Sequence, residues 1–500
     1  TACRIGPALP QPWVSLGEAQ FHLGQYDKAV DCFRAALARQ PDLHEVRVNY
    51  GITLQHAKRH EEAIEQLRRG LAALPDHTEA AVALATSLHE VGRTHQAIDV
   101  LKAASDRHPE NAKLLGNLGV LHEKCGQLQT AVEYYDKTLR LVPNDAGMLF
   151  NRGSSLIQLL RVADARRDWE ESLRIRPDDA HTKSNLAILE LLDGNYPKGF
   201  DLFEARWAVR HKKFPIPLPE WDGASLAGKH ILLYVEQGLG DMLQFCRFVP
   251  VLKQKYGCRI TLAALPTLHE LLRSLPGVDM VVDIHPPYPM ADVQCSLLSV
   301  PRVMRTTLET IPTNTPYLKA DPARVTRWRN RLAALSVGGK DKAALKVGLY
   351  WQGTQTDPNR VIRLSELAPL WQAADTRVAT GGSPGLAFIS LQKGPGEEEL
   401  AASKLPVTAL GHELLDFSDT AAVLESLDLL ITIDTAIAHA AGAMGRKAWV
   451  MLPYRPDWRW LLDRQDSPWY PTLRLYRQTK RQDWSETIAQ VAADLQVYQA

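Results

Sequence analysis

Residues 111–144 read NAKLLGNLGVLHEKCGQLQTAVEYYDKTLRLVPN, and this stretch decides the first part of the fold. Its landmarks are Gly119, Gly126, Ala131 and Pro143, and they return at steps of 34 residues in both directions. Pro41, Pro75, Pro109, Pro143 and Pro177 hold the period, as do Ala29, Ala63, Ala97, Ala131 and Ala165. Gly17, Gly51, Gly119 and Gly153 hold it too, with Ala85 and Ala187 in the other slots. Three registers in phase over five periods predict a stack of helical hairpins. Small residues belong where the two helices of a hairpin cross closely. Proline belongs just past the second helix, whose ladder it cannot continue. Gly24, Gly92, Gly126 and Gly194 fall in the turn inside a hairpin, where positive φ is tolerated. Lys58 and Leu160 occupy that slot in two units, and their departure is read as of little consequence.

A 34-residue helical unit resembles the tetratricopeptide repeat, over roughly residues 10–207. The last unit, near Asn185–Trp207, reads as a diverged sixth repeat with Gly199 in the alanine slot. The resemblance implies a groove that holds a peptide or another protein; self-association through the repeats is the alternative. It implies binding rather than chemistry.

Five hundred residues exceed a single core, so several domains are expected. A formal net charge of +1 gives no long-range attraction to nucleic acid or an anionic membrane, and neither is expected as a partner. The six cysteines, at 4, 32, 125, 246, 258 and 295, form no CxxC or Cys/His cluster and read as reduced thiols. No run reaches the ~18–20 apolar residues of a membrane span. No signal peptide is read in the chain, which begins at Thr1, and a cytoplasmic location is expected.

Pro215, Pro217, Pro219 and Gly223 end the helical period. Beyond them short β-rich runs alternate with amphipathic stretches, which argues for parallel sheets of the doubly wound kind. Strands are expected at His230–Glu236, Arg259–Ala264, Asp279–Asp283, Lys346–Trp351, Ala387–Gln392, Leu429–Asp434 and Ala448–Leu452, with a helix over Asp241–Tyr256. The expected organisation is an α solenoid over 1–211, then two Rossmann-like α/β halves over 212–340 and 341–500. The last helix, Trp484–Tyr498, is expected to pack back across the halves. A cleft between them would take small ligands at the carboxyl ends of the strands.

Five stretches carry candidate chemistry. Glu236-Gln237-Gly238-Leu239-Gly240-Asp241 joins a strand to a helix; Gly238 and Gly240 allow close approach, and Asp241 either caps the helix or takes a proton from an acceptor hydroxyl. In Ile431–His439, Asp434 and Thr435 stand at a helix N-terminus suited to sugar hydroxyls and a phosphate; His439 is either a site residue or a buried structural one. Trp351-Gln352-Gly353-Thr354 leads to Asp357, Asn359, Arg360 and Arg363, and Arg360 is either a solvated loop residue or the cation for a departing phosphate. Gln392 and Lys393 precede Glu397-Glu398-Glu399, which binds a ribose or is a solvated first turn. Trp458, Trp460 and Trp469 form either a stacking wall for a base or sugar, or a packed junction.

Together, GLGD at 238–241, WQGT…NR at 351–360, SLQKGPGEEE at 390–399, DTAIAH at 434–439 and DWRW…SPWYP at 457–471 resemble the heptosyltransferase-like glycosyltransferases (glycosyltransferase family 9). The resemblance implies a GT-B fold. It implies Asp241 as general base and Arg360 at the donor phosphates, where that family carries lysine. It implies Glu397 at the donor nucleoside, and Asp434, Thr435 and His439 at the donor sugar and phosphate; Gly238, Gly240, Gln352, Thr354, Gln392 and Lys393 complete the expected donor site. Repeat-fused glycosyltransferases that are similar in architecture imply a protein acceptor held in the groove, such as flagellin or another surface protein. The alternatives are a lipopolysaccharide or polysaccharide acceptor, and a non-catalytic binding adaptor. No DxD motif is placed to hold a metal, so an inverting, metal-independent transfer from a nucleotide sugar is expected, with no further cofactor.

Overall fold

The computed structural model describes residues 9–210, 216–236, 238–335, 344–353, 358–379 and 385–499. It divides into two compact units, Thr1–Asn185 and Leu186–Ala500.

The first unit is a solenoid of helical hairpins. Helices span Gln11–His22 and Tyr26–Arg39, then His44–His56 and His60–Ala73, and the pattern continues through Val162–Ile175. The expected small residues lie where the hairpin helices cross. A β-carbon on Gly17 would stand 2.9 Å from Phe33, on Gly51 2.6 Å from Leu67, and on Gly119 2.6 Å from Tyr135. On Gly153 it would stand 2.5 Å from the Trp169 indole. Each partner sits sixteen positions on, so the large side chain of the second helix fills the space vacated on the first. Lys58 and Leu160 matter more than the sequence reading allowed. Both hold the left-handed turn that glycine takes elsewhere, at φ 59° and 56°, which costs about 1 kcal/mol each.

The second unit holds two parallel sheets. In the first, β1 (His230–Tyr234), β2 (Arg259–Ala264), β3 (Met280–Asp283) and β4 (Val293–Ser296) lie in the order β3-β2-β1-β4. In the second, β5 (Leu345–Tyr350), β6 (Leu386–Ser390), β7 (Val407–Ala409), β8 (Leu429–Ile433), β9 (Ala448–Leu452) and β10 (Leu473–Arg477) run β10-β9-β8-β5-β6-β7. Counted from β5, this is the order 3-2-1-4-5-6 of doubly wound nucleotide-binding sheets. Strands β8 and β9 are buried on both faces, which is why they read as continuous apolar runs. β4, β7 and β10 were not expected: VQCS and VTA are too short and mixed to carry a period, and Arg474 and Arg477 mask the third.

Three expectations change. The helix expected over Asp241–Tyr256 is two, Leu239–Phe245 and Phe248–Tyr256, broken at Arg247. That guanidinium is buried and donates to the carbonyls of Trp469 (2.6 Å) and Pro312 (3.2 Å) and to the Tyr317 hydroxyl (2.9 Å). The last helix, Ser485–Val497, packs on Ala368–Ala379 and β10 of the second sheet rather than across the halves. The boundary between compact units precedes residue 211, because residues 196–206 belong to the core of the second unit. Tyr196 stacks on Trp469 at 5.8 Å, Phe200 meets Trp458 edge-on at 5.7 Å, and Arg206 Nε donates to Glu236 Oε1 at 2.8 Å.

Candidate functional site

In each sheet the strand order reverses once, beside β1 and beside β5. Crevices at the carboxyl ends of strands beside such reversals are where α/β sheets bind ligands. Here both reversals open on one cleft of about 840 Å³. β1 delivers Gly238–Asp241 to one wall; β5 and β8 deliver Gly353, Arg360, Asp434 and Thr435 to the other. The walls meet where the helix Leu239–Phe245 lies on Ala436–Ala443. A β-carbon on Gly240 would come within 2.8 Å of His439 Cδ2 and 3.7 Å of Ala436 Cα. Gly240 and the small residues of the second helix thus serve this approach.

An alternating chain of charges crosses the cleft. The Asp241 carboxylate pairs with Arg459, and Arg459 Nη1 reaches Asp457 Oδ1 at 2.8 Å. Asp457 Oδ2 lies 3.9 Å from Arg360 Nη2, which lies 3.2 Å from Asp434 Oδ2. Arg459 Nε also donates to Gln244 Oε1 at 2.6 Å, so this residue grips both walls. The carboxylates differ in their environments. Burial pushes Asp241 above the usual range, against the pull of Arg459. Burial also raises Asp434, against Arg360. Desolvation would raise Asp457 too, but Arg459, through its guanidinium and its N–H, holds Asp457 below the usual range. Arg459 thus sets Asp457 apart from Asp241 and Asp434, in which burial outweighs the nearby cation.

Asp241 has a structural duty and a place in the cleft. It caps its helix, accepting from Gly238 N–H at 3.1 Å, and its carboxylate lines the cleft. Thr435 is the N-cap residue of Ala436–Ala443, and Thr435, Ala436 and Ile437 at this helix N-terminus line the cleft. Arg360 lines the cleft with 35% of its side chain exposed, so it is open to a ligand. Lys393 lines it as well, with Nζ donating to the Leu414 carbonyl.

His439 reaches the cleft but is buried, stacked on Trp460 at 5.4 Å, with Nδ1 2.9 Å from the Tyr470 hydroxyl. Burial, then Arg459, lowers it to about 3, so the imidazole is neutral near pH 7. In the unfolded chain it would titrate near 6.5. The unfolded state therefore binds the proton first, and stability falls as pH drops below that value. Between pH 7 and pH 5 this residue is expected to cost about 2 kcal/mol. Urea unfolding at the two pH values should show that loss shrinking by about this amount in His439→Asn; an unchanged loss would contradict the assignment.

Other expected site residues have structural duties. Gln392 is saturated: Oε1 accepts from Trp351 N (3.0 Å) and Gln352 N (3.1 Å), and Nε2 donates to the carbonyls of Gln352 (2.7 Å) and Pro395 (2.6 Å). It clamps the ends of β5 and β6 together, and Gln352, likewise buried, is held by that clamp rather than lining the cleft. Glu397 Oε1 accepts from Gly394 N at 2.6 Å at the start of a helix, in the solvated-turn arrangement. Trp458, Trp460 and Trp469 are 2%, 0% and 0% exposed and do not line the cleft, so they form the packed junction and no stacking wall. Thr354 and Asp357 lie outside the described residues.

Asp457 and Arg459 were quoted in the sequence only as neighbours of tryptophans. The signal lay there: two charged residues inside an aromatic run are buried together only as a pair. The cleft also has an unforeseen apolar lip, Leu414, Leu415 and Phe417, with Tyr350 and Thr267 beside it. Among the described residues no group of His, Cys, Asp or Glu is arranged to hold a metal ion, and no helix is long and apolar enough to cross a membrane.

Protein FlbA of Caulobacter vibrioides is 29% identical over 343 residues, covering 63% of this chain and 54% of its own. The chain thus spans about half the length of that relative. Among solved structures, pilF of Pseudomonas aeruginosa is 19% identical with a TM-score of 0.37, covering 41% of this chain and 93% of its own. MamA of Desulfovibrio magneticus RS-1 is 16% identical with a TM-score of 0.32, covering 34% and 96%. Tetratricopeptide-repeat families match residues 9–76 and 82–146, and the solenoid of the first unit is a tetratricopeptide-repeat array.

Proposed function

We propose that the second unit is an inverting, metal-independent glycosyltransferase of the GT-B fold, moving a sugar from a nucleotide sugar to a protein held by the repeats. One observation carries the reading: a single cleft of about 840 Å³ places Asp241 on one wall and Arg360, Thr435 and a helix N-terminus on the other. That is the division of labour a group transfer from a phosphate needs. Asp241 takes the proton of the acceptor hydroxyl as its oxygen bonds to the anomeric carbon. The bond from that carbon to the phosphate oxygen breaks, and its electron pair leaves with the phosphate. Arg360, the Thr435 hydroxyl and the N–H groups of Ala436–Ala443 receive the developing charge. Tetratricopeptide repeats imply protein interaction. Here a groove of about 570 Å³ is lined by the first helices of four successive hairpins, among them Phe21, Asn49, Ile52, Val82 and Thr86. Its lining mixes apolar, amide and charged side chains, with Glu18, Glu79 and Lys113 among them, which suits a peptide.

Calorimetric titration with UDP, GDP, ADP and CMP tests the donor site. One nucleotide is expected to bind selectively, and to bind at least about tenfold more weakly to Arg360→Ala, since a charge-assisted contact to phosphate is worth about 1.5–3 kcal/mol. No binding by any of the four would favour a non-catalytic adaptor.

A further inference from the structure

The charge chain ends on a carboxylate whose cation is the one a donor phosphate would claim. Among the described residues, Arg360 is the cation within ion-pair distance of Asp434, with Nη2 at 3.2 Å from Oδ2. Asp457 shares Arg360 at 3.9 Å but has its own arginine: Arg459 contacts Asp457 Oδ1 from Nη1 at 2.8 Å and from its backbone N–H at 3.1 Å. Asp434 is 3% exposed, so water is a poor substitute for a lost partner. The groups that face it are Arg360 from the segment after β5, and Asp457, Arg459 and the Trp460 indole from the segment after β9; His439 lies on the helix that follows it. His439 stays neutral and brings no charge.

Resting on the donor-site reading above, we propose that a nucleotide phosphate entering the cleft takes Arg360 from Asp434, and that Asp434 then binds a proton from solvent. The step balances: the phosphate brings negative charge to Arg360, and one proton bonds to a carboxylate oxygen of Asp434. A buried carboxylate stripped of its cation is more costly than the neutral acid. Asp434 takes the proton because Asp457 keeps Arg459. The two are already disposed in this order: burial raises Asp434 against Arg360, while Arg459 holds the equally desolvated Asp457 low. The neutral acid offers one donor and one acceptor, which matches a sugar hydroxyl. The sign follows from linkage: binding that takes up a proton strengthens as pH falls.

The test is calorimetry on the full chain with UDP, GDP, ADP and CMP, in two buffers of different ionisation enthalpy. At about pH 8 a nucleotide's phosphate is already ionised, and an arginine beside it disfavours its protonation further, so the ligand takes up no proton of its own. The nucleotide that binds is expected to take up about one proton per site there, and to tighten about tenfold as pH is lowered from about 9 to about 8. In Asp434→Asn the uptake should vanish and the pH dependence flatten, with circular dichroism confirming the fold. Binding with no proton uptake by the unaltered chain overturns the proposal and leaves the donor site standing. Uptake that persists in a folded Asp434→Asn overturns it as well. Binding by none of the four removes the donor site and the proposal together. The proton count of the unaltered chain decides the matter even where the variant does not fold.

Discussion

Asp241→Asn is expected to lower sugar transfer by about 10³-fold while leaving nucleotide affinity within about twofold, because a positioned general base contributes on the order of 10²–10⁴. The carboxylate lies on the cleft wall opposite Arg360 and Thr435, so its loss does not touch the donor phosphates. The amide oxygen of asparagine can still accept from Gly238 N–H, which preserves the helix cap. Arg459 keeps Asp457 and Gln244, so the chain loses one end rather than its centre. The substitution therefore removes proton acceptance and spares most of the geometry. A pH profile adds a second check. Burial raises Asp241 above the usual carboxylate range; the base works when ionised, so transfer should fall as pH drops through that raised value and recover above it. Transfer measured with the selected nucleotide sugar, beside the melting temperature of the variant, separates loss of chemistry from loss of fold. A folded variant with full activity would remove Asp241 from the mechanism.

What was legible in the sequence follows from what is local. The solenoid was legible because each 34-residue unit repeats one steric problem, a small residue facing a large one sixteen positions on, as Gly119 faces Tyr135. The two strand-to-helix turns were legible because Gly238–Asp241 and Asp434–Thr435 each join an apolar run to a helix. Their meeting was not. Gly240 packs on His439, and Asp241 pairs with Arg459, across stretches that no period connects. Gln392 was misjudged for a related reason. An amide at a strand end beside a cleft looks like a ligand contact until all four of its hydrogen bonds are seen to be taken by backbone. The tryptophans were left undecided because an aromatic run looks alike in a binding wall and in a core, and only burial separates them.

The repeat period also hid where the second unit begins, and the consequence is large. A chain beginning at Leu186 is expected to fold cooperatively, whereas a chain beginning at Ala208, cut where the period ends, is expected not to fold. The segment between them supplies Tyr196, whose hydroxyl accepts from Trp469 Nε1 at 2.9 Å, and Phe200, seated on Trp458. Removing a buried aromatic costs about 3–5 kcal/mol. The segment also supplies Arg206, 3% exposed, with Nη2 donating to Ser299 Oγ at 2.7 Å and Nε to Glu236 Oε1 at 2.8 Å. Without it Glu236, equally buried, loses its cation at the end of β1, a loss of about 3–5 kcal/mol. Together these approach the 5–15 kcal/mol that holds a whole domain folded. Circular dichroism melting and limited proteolysis of the two chains decide between the boundaries, and equal stability would place residues 196–206 outside the core. The same pair bears on the repeats. If they only capture the acceptor, the chain from Leu186 keeps full nucleotide affinity and loses transfer to a protein. The same loss in the chain from Ala208 would report a broken cleft.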